Sequence, residues 1–118
     1  MIAYHQVDNV IIAELLPGSD RISSPEDILD IMVEAGYNRA GALIIHEDNL
    51  PEGFFDLSTR IAGEILQKFS NYRMKLAITG DFIDIKSKSL RDFIRESNRT
   101  GIISFVASTE EAISRLTR

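Results

Sequence analysis

ALIIHEDNLPEGFFDLSTRIAGEILQKFSNYRMKLAIT, residues 42–79, reads as strand, helix and strand. Ala42-Leu43-Ile44-Ile45 is apolar at every position and too short for a helix, the pattern of a strand covered on both faces. Beyond the breaker Leu50-Pro51-Glu52-Gly53, the spacing predicts one amphipathic helix over 54–70. Leu57, Ile61, Ile65 and Phe69 recur every fourth residue, and Ala62 and Leu66 widen the stripe. Arg60, Glu64 and Lys68 form an opposite row of alternating charge. Leu76-Ala77-Ile78-Thr79 repeats the covered-strand pattern and stops at Gly80-Asp81. A crossover helix between two such strands makes them parallel members of one sheet.

The flanks extend this alternation. Ile2 to Gln6 alternates in character, Val10 to Leu16 is apolar and β-branched-rich, and Val7-Asp8-Asn9 between them reads as a tight turn, giving a β-hairpin. Pro17-Gly18-Ser19-Asp20 ends the second strand. Ser24-Pro25-Glu26-Asp27 starts a helix: a capping hydroxyl, proline in the first turn and acids at the positive helix end. Ile28, Leu29, Met32, Val33 and Ala35 supply its buried stripe and Gly36 its stop. Ser87 or Ser89 can cap a third helix bearing Leu90, Phe93 and Ile94. Ile102 to Val106 reads as a strand, and Ser108-Thr109-Glu110-Glu111 is a capping box opening a last helix with Ala112, Ile113 and Leu116, closed by the basic Arg118. The expectation is a single α/β domain over 1–118, in the order ββαβαβαβα, with a mostly parallel five-stranded sheet and the hairpin at or near one edge.

Composition narrows the function classes. Among 118 residues, Lys+Arg 13 against Asp+Glu 18 leaves a net charge of −5. Binding to nucleic acid or to an anionic membrane needs clustered positive charge, so neither is expected. With no cysteine there is no disulfide, thiolate zinc site or cysteine nucleophile, which suits a reducing cytosol. Met1 to Gln6 has no basic region followed by an apolar run, and no stretch approaches the roughly 18 apolar residues of a membrane span, so a cytoplasmic location is expected.

Few residues carry chemistry. His5 and His46 are the only histidines, on different strands, and no second histidine stands at helical spacing, so no metal site is expected. His46 reads as a strand-ending side chain bonded to a loop carbonyl. Gly36 to Gly41 has the glycine spacing of a P-loop but lacks its lysine and hydroxyl and runs from helix to strand; Gly80-Asp81-Phe82 offers one glycine. No cofactor is expected. No serine sits in a Gly-x-Ser-x-Gly elbow, so an enzyme is not expected either, although Asp48, Asp56, Asp81 and Asp84 follow strands, where open α/β sheets gather ligands.

The segment Phe54-Phe55-Asp56-Leu57-Ser58-Thr59-Arg60 is the main candidate site. Asp56 and Ser58 are preferred capping types, and amide donors at a helix start also favour an anion or a phosphorylated hydroxyl. Phe54 and Phe55 serve as core lids or as clamps on a ligand. An alternative is a small-ligand crevice between Asp48, Asp56 and Asp81, walled by Phe54, Phe55 and Phe82. Arg91, Asp92, Arg95, Glu96, Asn98 and Arg99 make the third helix a polar surface in which pairs such as Asp92 with Arg95 satisfy one another. The hairpin leaves a sheet edge of low charge, which suits a homodimer.

The phrases AGEILQKF, NYR, GDF and DFIRESN, with FFDL before them and the STEEAISRL helix at the end, resemble an uncharacterised bacterial domain family of about this length. The order of elements is similar to that of the STAS, or SpoIIAA-like, domain of sulfate transporters and anti-sigma-factor antagonists. In those antagonists an Asp-Ser-Ser-Gly-type segment opens the second helix, and a partner kinase phosphorylates its serine. Asp56 and Ser58 occupy the matching positions, with Leu57 in place of the first serine and Thr59 in place of the glycine. The resemblance implies a protein-binding regulatory domain with Ser58 as its phosphosite.

Overall fold

The hairpin, three crossover helices and a final returning helix build the chain's sheet. A computed structural model describes residues 2–18 and 22–117. Its strands are β1 (Ile2–Val7), β2 (Val10–Leu15), β3 (Ala42–His46), β4 (Lys75–Thr79) and β5 (Ile103–Val106); its helices are α1 (Pro25–Tyr37), α2 (Ile61–Asn71), α3 (Lys88–Thr100) and α4 (Thr109–Leu116). The sheet order is β1-β2-β3-β4-β5, with β1 antiparallel to β2 and every other neighbour parallel. The expected α/β architecture, the order of elements and the edge position of the hairpin all hold. Ser19, Asp20 and Arg118 lie outside the described residues.

Sequential order dictates the layers. Right-handed crossovers that step one strand at a time place their helices on the same face. On that face α1, α2 and α3 cover Ala13, Leu15, Leu43, Ile45, Leu76, Ile78, Ile103 and Phe105. Only α4 is left for the other face, where Ala112 and Leu116 pack with Ile12, Ala42, Ile44, Ala77 and Val106. The alternation of odd and even residues between these clusters is the strand period of two.

Several local expectations are corrected. Residues 54–70 are not one helix: Leu57–Thr59 is a separate 3-10 turn, Arg60 takes a left-handed φ of 66°, and α2 begins at Ile61. Side chains compete there for the backbone. Asp56 accepts from the Ser58 N–H, and the Thr59 hydroxyl lies 2.8 Å from the carbonyls of both Gly53 and Asp56. Gly36 does not stop α1, which runs to Tyr37 and caps at Asn38. Its buried residues are Ile28, Met32 and Ala35, while Val33 is 59% exposed. The Ser24 side chain makes no capping bond; Asp27 accepts instead from the Ser23 N–H. Ser87, not Ser89, caps α3. At α4 the Ser108 hydroxyl accepts from the Glu111 N–H as expected, but the Glu111 carboxylate reaches the Ala107 N–H rather than that of Ser108. The strands β2 and β5 are each one residue shorter than the apolar runs.

The two sheet edges differ. At β5, the Asn98 amide of α3 pairs with the backbone like a further strand, its Oδ1 accepting from Phe105 N–H at 2.7 Å and its Nδ2 donating to Phe105 C=O at 3.4 Å. Arg115 of α4 donates to the Asn98 carbonyl at 2.5 Å and to the Ser104 hydroxyl at 3.3 Å. Replacing Asn98 by Ala strands both Phe105 groups. Urea unfolding of Asn98→Ala is expected to show a loss of about 1–3 kcal/mol, the usual consequence of leaving buried donors unpaired; wild-type stability would mean that this edge is satisfied in another way.

Candidate functional site

The C-terminal ends of β3, β4 and β5 converge on an aromatic cluster. Phe82 meets Phe105 edge-on at 5.3 Å between ring centroids, Phe55 lies 5.9 Å from Phe82 and 6.4 Å from Phe105, and Phe93 approaches Phe105 at 6.1 Å. Over this floor opens a cleft of about 740 Å³, whose polar margin is Glu47, Asp81, Asn98 and Glu111 and whose apolar margin includes Ile83 and Ile94. Ile83 is 87% exposed. A smaller cleft of about 200 Å³ adjoins it between Glu47, Phe55, Asp81, Phe82, Ile85 and Leu90.

Gly80 explains how the margin is assembled. A Cβ at that position would fall 2.6 Å from the Glu47 carboxyl carbon, so only glycine lets that carboxylate lie against the strand end. There Glu47 also accepts from the Asp81 N–H at 3.3 Å. Asp81 in turn accepts from the Ile83 N–H, which fixes the loop after β4 as an Asx turn. Among the described residues no group of three or more His, Asp or Glu side chains is arranged to hold a metal ion.

Of the residues singled out from the sequence, Phe55, Asp81 and Phe82 come together here. The crevice between Asp48, Asp56 and Asp81 does not form: Asp48 is exposed on the 3-10 turn Glu47–Asn49, and Asp56 on the following one. Neither lines either cleft. Phe54 is not a wall but a core residue, 1% exposed, stacked edge-on against Phe55 at 4.9 Å. Ser58 and Thr59 are exposed and precede α2, which starts at Ile61. What remains is a tight local unit. The Ser58 hydroxyl donates to Asp56 Oδ1 at 2.6 Å and the Ser58 N–H to the same oxygen at 3.0 Å. Those two hydrogen bonds, the hydroxyl's first, hold the Asp56 carboxyl below its usual value.

Sequence reasoning passed over a buried carboxylate that bonds to both neighbouring strands. Glu14 stands inside the apolar run of β2 and is 6% exposed, yet both histidines converge on it. His5 Nε2 lies 2.7 Å from Glu14 Oε1, and His46 Nε2 lies 2.7 Å from Glu14 Oε2. The remaining ring nitrogen of His46, Nδ1, meets the Thr79 hydroxyl. His46 therefore bonds to side chains, not to a loop carbonyl. A carboxylate only accepts, so each Nε2 donates to Glu14. Burial pushes the Glu14 carboxyl up, but the hydrogen bonds and charge of His5 and His46 outweigh it and hold the group below its usual value. The order hydroxyl, imidazole, carboxylate is that of a nucleophilic relay. Here Thr79 is 7% exposed, and neither rim cleft is lined by Thr79 or His46. The signal that could have revealed this network was a lone glutamate in an otherwise apolar strand.

The chain belongs to the family described as Domain of unknown function (DUF4180), whose family model matches residues 7–116. No curated protein matches the chain, and no solved structure matches it. Among the described residues no helix is long and apolar enough to cross a membrane.

Glu14→Gln leaves one imidazole N–H facing an amide NH₂. Chemical unfolding at neutral pH is expected to show a loss of about 1–3 kcal/mol. Because the folded-state value of Glu14 lies below its ordinary 4.5, its contribution is present above that pH and is lost as pH falls through the folded value. The gap between wild type and Glu14→Gln should therefore narrow as pH falls through the folded-state value of Glu14. A gap that is flat across the whole acid limb would contradict the assignment.

Proposed function

For a member of this family we propose a cytosolic, non-enzymatic regulatory domain of STAS-like architecture that binds a protein partner at the C-terminal rim of its sheet. The element order ββαβαβαβα supports the architectural likeness. One juxtaposition carries the binding reading: Phe82 and Phe105, packed edge-on, line one cleft with the carboxylates of Glu47, Asp81 and Glu111. An apolar floor with an acidic margin suits a partner segment that presents lysine or arginine, whose stem packs on the rings while its charge meets the carboxylates. The smaller cleft is below the roughly 300–1,000 Å³ of common small-molecule pockets and fits one inserted side chain. A second reading is a small cationic ligand in the larger cleft, favoured by its volume of about 740 Å³.

Ser58 supplies a regulatory handle in this reading. It is exposed, and its hydroxyl already rests on Asp56. A phosphate there adds roughly −1.5 to −2 charge beside that carboxylate, while the Ser58 N–H is committed to Asp56. Repulsion would open the Asp56–Ser58 turn next to Phe55, so the switch acts by loosening the rim rather than by capture at a helix start.

The test is quantitative capture from a lysate of the native host with the full chain as bait. Ile83→Asp and Asp81→Lys, both at exposed rim positions, are expected to reduce the captured partner about tenfold or more, a hot-spot effect. Val33→Ser on α1 should leave capture unchanged. Ser58→Glu should weaken capture and Ser58→Ala should not. Capture indifferent to both rim variants sinks the reading. A metabolite that raises thermal stability, by about 2.7 kcal/mol at 100 times its dissociation constant, would favour the ligand instead.

A further inference from the structure

The network around Glu14 carries an inference independent of the rim, because it ties the least secured strand to the rest of the sheet. No residue of β1 is buried, and β2 is its one sheet neighbour. Its packing on other elements is at most marginal. Among the described residues, two side-chain hydrogen bonds hold it beyond the hairpin ladder: His5 Nε2 to Glu14 Oε1 at 2.7 Å, and Asn38 Nδ2 to the Tyr4 hydroxyl at 3.0 Å. By contrast β4 lies between β3 and β5, with Leu76, Ala77, Ile78 and Thr79 all buried. Segments with few buried contacts are the ones that open on their own.

Charge decides when the hold on β1 fails. One carboxylate serves both imidazoles, His5 through Oε1 and His46 through Oε2. While Glu14 is ionised, a proton added to either ring is met by its negative charge. An imidazole ordinarily gains its proton near pH ~6.5, well above the range in which a carboxylate does, so both rings are cationic by the time Glu14 is neutral. Two like charges then face one uncharged carboxyl group that is 6% exposed. Among the described residues no other carboxylate hydrogen-bonds to either ring, and Thr79, on the far side of His46, is uncharged. On α4, Ala112 and Leu116 pack on this face, Arg115 is engaged with Asn98 and Ser104, Glu111 with the Ala107 N–H, and Glu110 is exposed. Beyond β3, Glu47 lies against Gly80 and Asp48 is exposed. His46 belongs to a strand paired on both sides and His5 to the outer one, so the outer strand yields.

We propose that His5, Glu14 and His46 form an acid-sensitive clasp: uptake of a proton by Glu14 releases β1 from β2 while the four parallel strands stay folded. Release uncovers the hydrogen-bonding edge of β2. In the folded chain the Glu14 carboxyl lies below its ordinary 4.5, so the clasp is whole above that pH and is lost as pH falls to the folded value.

Native-state hydrogen exchange of the full chain, followed by NMR and corrected for the intrinsic rate, tests this. The two-residue hairpin loop makes Val7–Val10, His5–Ile12 and Ala3–Glu14 the bonded pairs, so the amides of Ala3, His5 and Val7 report on β1. Their protection is expected to fall by up to about tenfold per pH unit below 4.5, the dependence for one proton, while Leu76 and Ile78 of β4 keep theirs. His5→Gln keeps a donor to Glu14 but removes the outer charge, and should flatten the fall. Glu14→Gln removes the negative charge at every pH, and should move the fall up into the imidazole range near pH ~6.5. If Glu14→Gln does not fold, wild type and His5→Gln decide the matter. Amides of β1 that stay protected until β4 loses its own protection overturn the proposal. So does an equally steep fall in His5→Gln, because acid then releases β1 without the clasp.

Discussion

One eight-residue helix covers the second face of the sheet, and what it leaves uncovered shapes the chemistry of the chain. Strands in sequential order send all three crossover helices to the same side. Of the described helices only α4 remains for the other, where it packs chiefly on β4 and β5 and reaches Ile12 of β2. Over β1, α4 makes at most a marginal contact. There the sheet face is closed by its own side chains, with Glu14 held between His5 and His46 and the chain of contacts ending on Thr79. A leucine at position 14 would leave His5 and His46 without their common acceptor, whereas the buried carboxylate is satisfied by both.

The same topology made most of the fold legible in the sequence. The covered strands β3 and β4 announce themselves because both faces demand apolar residues, and α2 does so because only one of its faces is buried. Its start was misread for a physical reason. Leu57 continues the spacing of Ile61, Ile65 and Phe69, and periodicity reports which side chains are buried, not whether the backbone between them is helical. The break arises from Asp56, Ser58 and Thr59, whose side chains take backbone partners that a helix would need. Asp56 and Ser58 were thus identified as a pair, while the helix they were meant to cap begins beyond them.

The candidate site was only partly legible because it is made by long-range contacts. Phe55, Asp81 and Phe82 sit on segments whose neighbourhood could be guessed from the strand ends on either side. Glu47, Asn98, Phe105 and Glu111 join the cleft from four further places, and no local pattern marks them. Gly80 is the instructive case. By sequence it is a single glycine with no phosphate-binding context, and in the structure its missing Cβ is the space occupied by the Glu47 carboxylate. Phe54 and Phe55 show the limit most directly: adjacent and chemically identical, one is sealed in the core and the other forms the wall of a cleft.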